Sequence, residues 1–192
     1  DALPVGSLVC PGPAERPDLW PWSAERRPDG ALEVGGVGMA DLVVASAPAK
    51  LITLGLGSCI GLVIFDTTAK IAGMVHIMLP DSRGAKSLEK VGKFADTAVP
   101  ALLDEMIKKG ASKSRMKAKI AGGAQMFALP GAQTDFLAVG ARNVKETTDM
   151  LSKMGIPLVA SDTGGNKGRT VEFSTDTWIL TIKTLGKGTS DI

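Results

Sequence analysis

Three residues in the stretch TLGLGSCIGLVIFDTTAKIAGMVHIMLP could do chemistry together: Thr53, Cys59 and His76. His76 is the single histidine of the chain and Cys59 one of two cysteines. A free thiol has a pKa of about 8.5, so a cysteine nucleophile at neutral pH needs a neighbouring imidazole to take its proton or stabilise its thiolate. The same ring could return that proton to a leaving amine. Gly57 and Ser58, beside Gly55, suit a tight loop whose backbone N–H groups face a developing oxyanion. Thr53, six residues before the cysteine, could orient the imidazole, the third role of a triad.

The spacing must be delivered by strands. If residues 60–66 and 71–77 form an antiparallel hairpin turning at Thr68-Ala69, His76 lies opposite Gly61 and Cys59 opposite Met78. Cys59 and His76 then share a face as diagonal neighbours about 7–8 Å apart at the backbone, with Gly61 leaving room for the ring. A loop one residue shorter or longer would separate them. Each residue also has an ordinary explanation: a cysteine beside a hydrophobic strand and a histidine in GMVHIML are common core residues, and strands favour threonine.

Around this hairpin, DLVVA (41–45) and KLITL (50–54) read as further strands of a β-meander. Leu88, Val91, Ala95, Ala98, Leu102 and Met106 recur at helical spacing, with Pro100 expected to kink that helix or begin a second one. A strand is expected at 116–122, then an irregular stretch, then a helix over 141–154 with Val144, Thr148, Leu151 and Met154 inward. Strands at 157–161, 169–173 and 178–184 complete an α+β domain of mixed sheets with two long helices on one side. Residues 1–34, holding six of the eleven prolines before residue 31, read as a flexible arm or upstream extension outside a single domain over 35–192.

Composition excludes several classes. A net charge of +2 without a basic stripe interleaved with aromatics gives little support to a nucleic-acid surface. No apolar run approaches a membrane span and no leader pattern opens the chain, so a soluble protein of a reducing cytoplasm is expected. One histidine and two scattered cysteines serve a metal site poorly. The glycines of GLGSCIG miss the dinucleotide-binding spacing and precede a strand.

Taken as a set, TLGLGSCIGLVIFD and GMVHIMLPDS resemble the signature of the bacterial chemoreceptor glutamine deamidase family, CheD. The likeness continues in order through KFADTAVPALLDEM, KIAGGAQMF and GARNVKETTDML to DTGGNKGRTVEFST, over about residues 36–184. It implies the layered α+β fold also found in a deamidating toxin, and a catalytic Cys59, His76 and Thr53. It further implies hydrolysis of glutamine side chains on methyl-accepting chemotaxis receptors without a cofactor, and the CheC phosphatase as a partner competing for the same surface. The location implied is the bacterial cytoplasm, at receptor clusters, with no membrane insertion. An adaptor that binds receptor and phosphatase with little catalysis is the alternative. The proline-rich arm, Pro100 and Trp178, where the family pattern leads us to expect glycine, depart from the resemblance.

Overall fold

A computed structural model of the chain describes residues 33–85, 89–125 and 138–192. It has two five-stranded sheets and two long helices stacked in three layers. The inner sheet runs β2 (Leu42–Ser46), β5 (Ile71–Ile77), β4 (Ile60–Asp66), β6 (Lys117–Gly122), β7 (Leu158–Thr163). Helices α1 (Ala95–Lys108) and α2 (Val139–Lys153) cover one of its faces. Its other face meets the outer sheet, ordered β1 (Glu33–Gly36), β3 (Ala49–Leu56), β8 (Arg169–Ser174), β9 (Leu180–Thr184), β10 (Gly188–Asp191).

Every residue of β4 and β5 is buried, because both faces of these strands are covered. One core, between helices and inner sheet, joins Ile60, Leu62, Val75 and Ile77 to Val99, Leu102, Met106 and Leu151. The other, between the sheets, joins Val63, Phe65 and Met74 to Leu51, Val171, Phe173 and Ile182. At about 25 cal/mol per Å² of apolar surface removed from water, these two cores supply the main drive for layering.

The β4–β5 register is the one the hairpin arithmetic predicts, from Ile60 opposite Ile77 to Asp66 opposite Ile71, with Gly61 opposite His76. The meander is not formed. β2 pairs with β5, whereas β3 leaves for the outer sheet and pairs with β1 and β8. Alternation along a strand records which residues are buried but not which sheet buries them.

Other expectations change in detail. β1 starts at Glu33, two residues inside the segment assigned to the arm, and β10 was not foreseen; residues 1–32 lie outside the described residues. Leu88 also lies outside them, and Val91 is exposed in a short 3-10 turn rather than on α1. There Gly92 packs against the Ala40 carbonyl, where a Cβ would come to 2.6 Å. α1 runs unbroken through Pro100, since Ala98, Val99, Leu102 and Leu103 are all buried and outweigh one missing N–H bond. Trp178 has φ 59°, a left-handed conformation that glycine adopts without strain. Its ring packs on Phe65 and Phe173, at centroid distances of 5.9 and 6.3 Å.

At the closed end of the hairpin, the buried Asp66 carboxylate accepts N–H bonds from Thr68, Ala69 and Ser112 and is paired with Arg115 at 2.8 Å. Burial by itself would raise its pKa. The bond from Arg115 and the N–H groups of Ser112 and Ala69 outweigh it and bring the value to about 2. A lowered folded-state pKa means stability present above the ordinary carboxylate range and lost as pH falls through it. Asp66→Asn should therefore lower unfolding free energy at pH 7 by on the order of 2 kcal/mol. The gap from wild type should close between pH 4 and 2. Urea titrations at several pH values would read this, and equal stabilities at pH 7 would refute it.

Candidate active site

The hairpin and the outer sheet meet at the three residues singled out above. Thr53 (β3) and His76 (β5) face each other across the two sheets, both almost fully buried. Thr53 Oγ1 lies 2.8 Å from His76 Nδ1 and 2.7 Å from the Val37 carbonyl oxygen. A threonine hydroxyl has one hydrogen, and a carbonyl can only accept. The hydroxyl therefore donates to Val37, and its lone pair accepts from Nδ1–H. This fixes the neutral ring as the Nδ1–H tautomer and leaves the lone pair on Nε2, which has no hydrogen-bond partner among the described residues.

The backbone of His76 is held as tightly as its ring. Its N–H donates to the Asp41 carbonyl and its own carbonyl accepts from Ala40 N–H. Gly61, opposite His76, serves differently from the sequence expectation. Leu56, Val171 and the Thr53 methyl fill the space there, at 3.0–3.3 Å from where a Cβ would stand, so glycine admits Thr53 rather than clearing room for the ring alone.

Cys59 precedes β4 immediately, half-buried and free, and packs into the core between the sheets. It shares that core with Val63 and Phe65 of β4 and Ala72 and Met74 of β5, the alternating residues whose series includes His76. Cys59 and His76 thus lie on one face of the hairpin, diagonal across the rung next to Ile60 and Ile77. Burial raises the Cys59 pKa, opposed by its own backbone N–H, and lowers that of His76, opposed by the Asp41 charge. Both shifts favour the uncharged thiol and the uncharged imidazole.

Gly57, Ser58 and Cys59 have their carbonyls anchored by Ala124 N–H, the Asn143 amide and Gly123 N–H. In a trans peptide the N–H points opposite to the C=O. The Ser58 and Cys59 N–H groups are thereby turned away from those anchors, and the Cys59 N–H favours the thiolate of its own side chain, partly offsetting burial. This arrangement needs Gly122, whose φ is 118° and where a Cβ would stand 2.1 Å from the Cys59 carbonyl oxygen.

An open cavity of about 720 Å³ lies beside the loop, bordered by Gly55, Gly57, Gly168, Arg169 and Leu185. Gly168 and Arg169 belong to TGGNKGR, one of two glycine-rich segments; the other, GGAQMF, is described only to Gln125, whose N–H donates to the Gly165 carbonyl. Arg169, itself buried, pairs with Asp162 at 2.8 Å and ties β8 to β7 at this end. Among the described residues no group of three or more His, Cys, Asp or Glu is placed to hold a metal ion.

This geometry can be set beside known proteins. A family model described as CheD chemotactic sensory transduction matches residues 78–184. The chain belongs to the CheD family. It is 50% identical over 152 residues to a probable chemoreceptor glutamine deamidase CheD of Caldanaerobacter subterraneus subsp. tengcongensis, covering 79% of this chain and 93% of that relative. A protein of the same name from Clostridium novyi matches with the same identity and coverage. That of Desulforamulus reducens is 48% identical over 151 residues, 78% of this chain and 90% of its own. The family match begins after His76, but 152 residues of a 192-residue chain necessarily include the stretch from Thr53 to His76.

Asn143 was missed from the sequence. The expected inward face of the second helix named Val144, Thr148, Leu151 and Met154, of which Leu151 is fully buried. The deepest positions are instead Gly140, Asn143, Thr147, Met150 and Leu151. Hydrophobicity cannot flag a buried asparagine, and the one available signal was the unbroken helical spacing 140, 143, 147 of small and polar residues.

Because His76 is the chain's one histidine, imidazole nitrogen NMR of untagged protein reads it directly. The expected spectrum shows Nδ1 protonated, titrating below the ordinary 6.5. Thr53→Val should abolish the tautomer bias and cost about 1–3 kcal/mol of stability. An Nε2–H ring in wild type would rule out the acceptor role of Thr53.

Proposed function

We propose that this protein is a chemoreceptor glutamine deamidase in which Cys59 is the nucleophile, His76 the base and then the acid, and Thr53 the residue that orients His76. The observation that carries the assignment of roles is the Thr53 hydroxyl shared between the Val37 carbonyl and His76 Nδ1, because it frees Nε2 for the thiol proton. The substrate class follows from membership of the CheD family, whose relatives bear that name.

In the reaction, Cys59 Sγ bonds to the carboxamide carbon as its proton passes to Nε2. The carbonyl electron pair moves to oxygen, where the Ser58 and Cys59 N–H groups, with the Gly57 peptide before them, receive the charge. The C–N bond then breaks and Nε2–H protonates the departing ammonia. Water, deprotonated by Nε2, attacks the thioester; the C–S bond breaks and the thiol is restored. Glutamine and water become glutamate and ammonia, with no metal or organic cofactor.

The open cavity beside Gly55 and Gly57 suits a glutamine presented on a receptor surface, since a long helical substrate could not enter a closed pocket. The reading includes the family setting: action in the bacterial cytoplasm at receptor clusters, with the CheC phosphatase competing for the surface around the site. No helix among the described residues is long and apolar enough to cross a membrane.

Incubation with a chemoreceptor cytoplasmic fragment should release ammonia and add the mass of an amide-to-acid conversion at particular glutamines. Cys59→Ala should fold and bind yet do neither. Since His76 must be neutral to act as base and burial lowers its pKa, kcat/KM should rise with pH through a midpoint below 6.5 and then level off. Conversion by the Cys59→Ala protein would remove Cys59 from the mechanism. Binding without conversion by wild type would favour the adaptor.

A further inference from the structure

We infer that Asn143 is a positioning residue that aims the Cys59 N–H and fixes the nucleophile loop to the strand carrying His76. The inference rests on the reading of Cys59 as nucleophile and adds a residue to it. Asn143 is fully buried on α2, and its Nδ2 donates to two carbonyls, that of Ser58 at 2.8 Å and that of Met78 at 2.9 Å. The first belongs to the peptide whose N–H is that of Cys59. The second lies two residues beyond His76. One amide group therefore grips both arms of the hairpin at its open end, just beyond the last paired rung, Ile60 opposite Ile77.

The surroundings allow little slack. One turn before Asn143, Gly140 stands so close to the Gly123 and Ala124 carbonyls that a Cβ would come to 2.5 and 2.7 Å, and it is this approach that brings the amide within reach. Gly123 and Ala124 then bond the Cys59 and Gly57 carbonyls from the same side. Three consecutive peptides are thus anchored through their oxygens, with the central one depending on Asn143. If that anchor is lost, the Ser58–Cys59 peptide can rotate, carrying the Cys59 N–H away from both the sulfur and the developing oxyanion. Asn143 does not touch the imidazole, so its part differs from that of Thr53.

Because the lost function is orientation and not substrate contact, Asn143→Ala should lower kcat on the receptor fragment about tenfold to a hundredfold with KM within about twofold. Asn143→Ser, which keeps one donor, should recover part of the loss. Leu151→Ala, a core truncation on the same helix that leaves the loop bonds intact, is the control for general destabilisation and should keep kcat below its melting temperature. A second arm needs no substrate. In a Cys10→Ser background, the pH midpoint for alkylation of Cys59 should move upward in Asn143→Ala and stay in Leu151→Ala, because the Cys59 N–H no longer favours the thiolate.

An unchanged kcat and midpoint in Asn143→Ala, or equal losses in Leu151→Ala, would overturn the inference. If Asn143→Ala does not fold, Asn143→Ser carries the same comparison. If wild type releases no ammonia, the functional reading fails, and the alkylation arm alone decides whether Asn143 aims the Cys59 N–H.

Discussion

One hydroxyl joins the two sheets where the chemistry would occur. Thr53 comes from the outer sheet and His76 from the inner, and their bond forms only if the sheets stack in one alignment. The Val37 carbonyl completes the arrangement by consuming the hydroxyl proton, which dictates which ring nitrogen carries hydrogen. The free lone pair on Nε2 thus depends on packing across an interface held largely by apolar side chains such as Leu51, Phe65, Met74 and Phe173. Sliding one sheet past the other by a single residue, about 3.3 Å, would carry Thr53 out of hydrogen-bond reach of His76.

The same interface sets the electrostatics. Burial disfavours charge on both Cys59 and His76, raising the pKa of the thiol and lowering that of the imidazole. Cores tolerate such groups when their polar atoms have partners, and His76 is accordingly held by Thr53, Asp41 and Ala40. Among the described residues, Nε2 is the ring nitrogen left without a partner. On the other side of the inner sheet, Gly123 and Gly140 let α2 come close enough to anchor the Gly57–Cys59 loop, since a Cβ at 140 would collide with the Gly123 and Ala124 carbonyls and one at 123 with the Val144 side chain.

Much of this was legible in the residues. Hairpin length and alternation placed His76 opposite Gly61, and periodicity found the two helices and most of the strands. The partition of strands into two sheets was not, because β2 and β3 are both short apolar runs and nothing local to either names its partner strand. Pro100 misled because local propensity was weighed without the buried side chains that override it. Asn143 was hidden because its burial depends on Gly140 packing against Gly123 and Ala124, a contact between segments distant in the chain.

Hairpin length and the two-residue period of a strand were enough to place Cys59 and His76 on one face once the hairpin was assumed, because both are matters of short-range geometry. That Thr53 reaches His76, which tautomer results and that Asn143 grips both arms came from packing between distant elements. Those outcomes depend on contacts between elements distant in the chain, fixed by how two apolar interfaces close over one another.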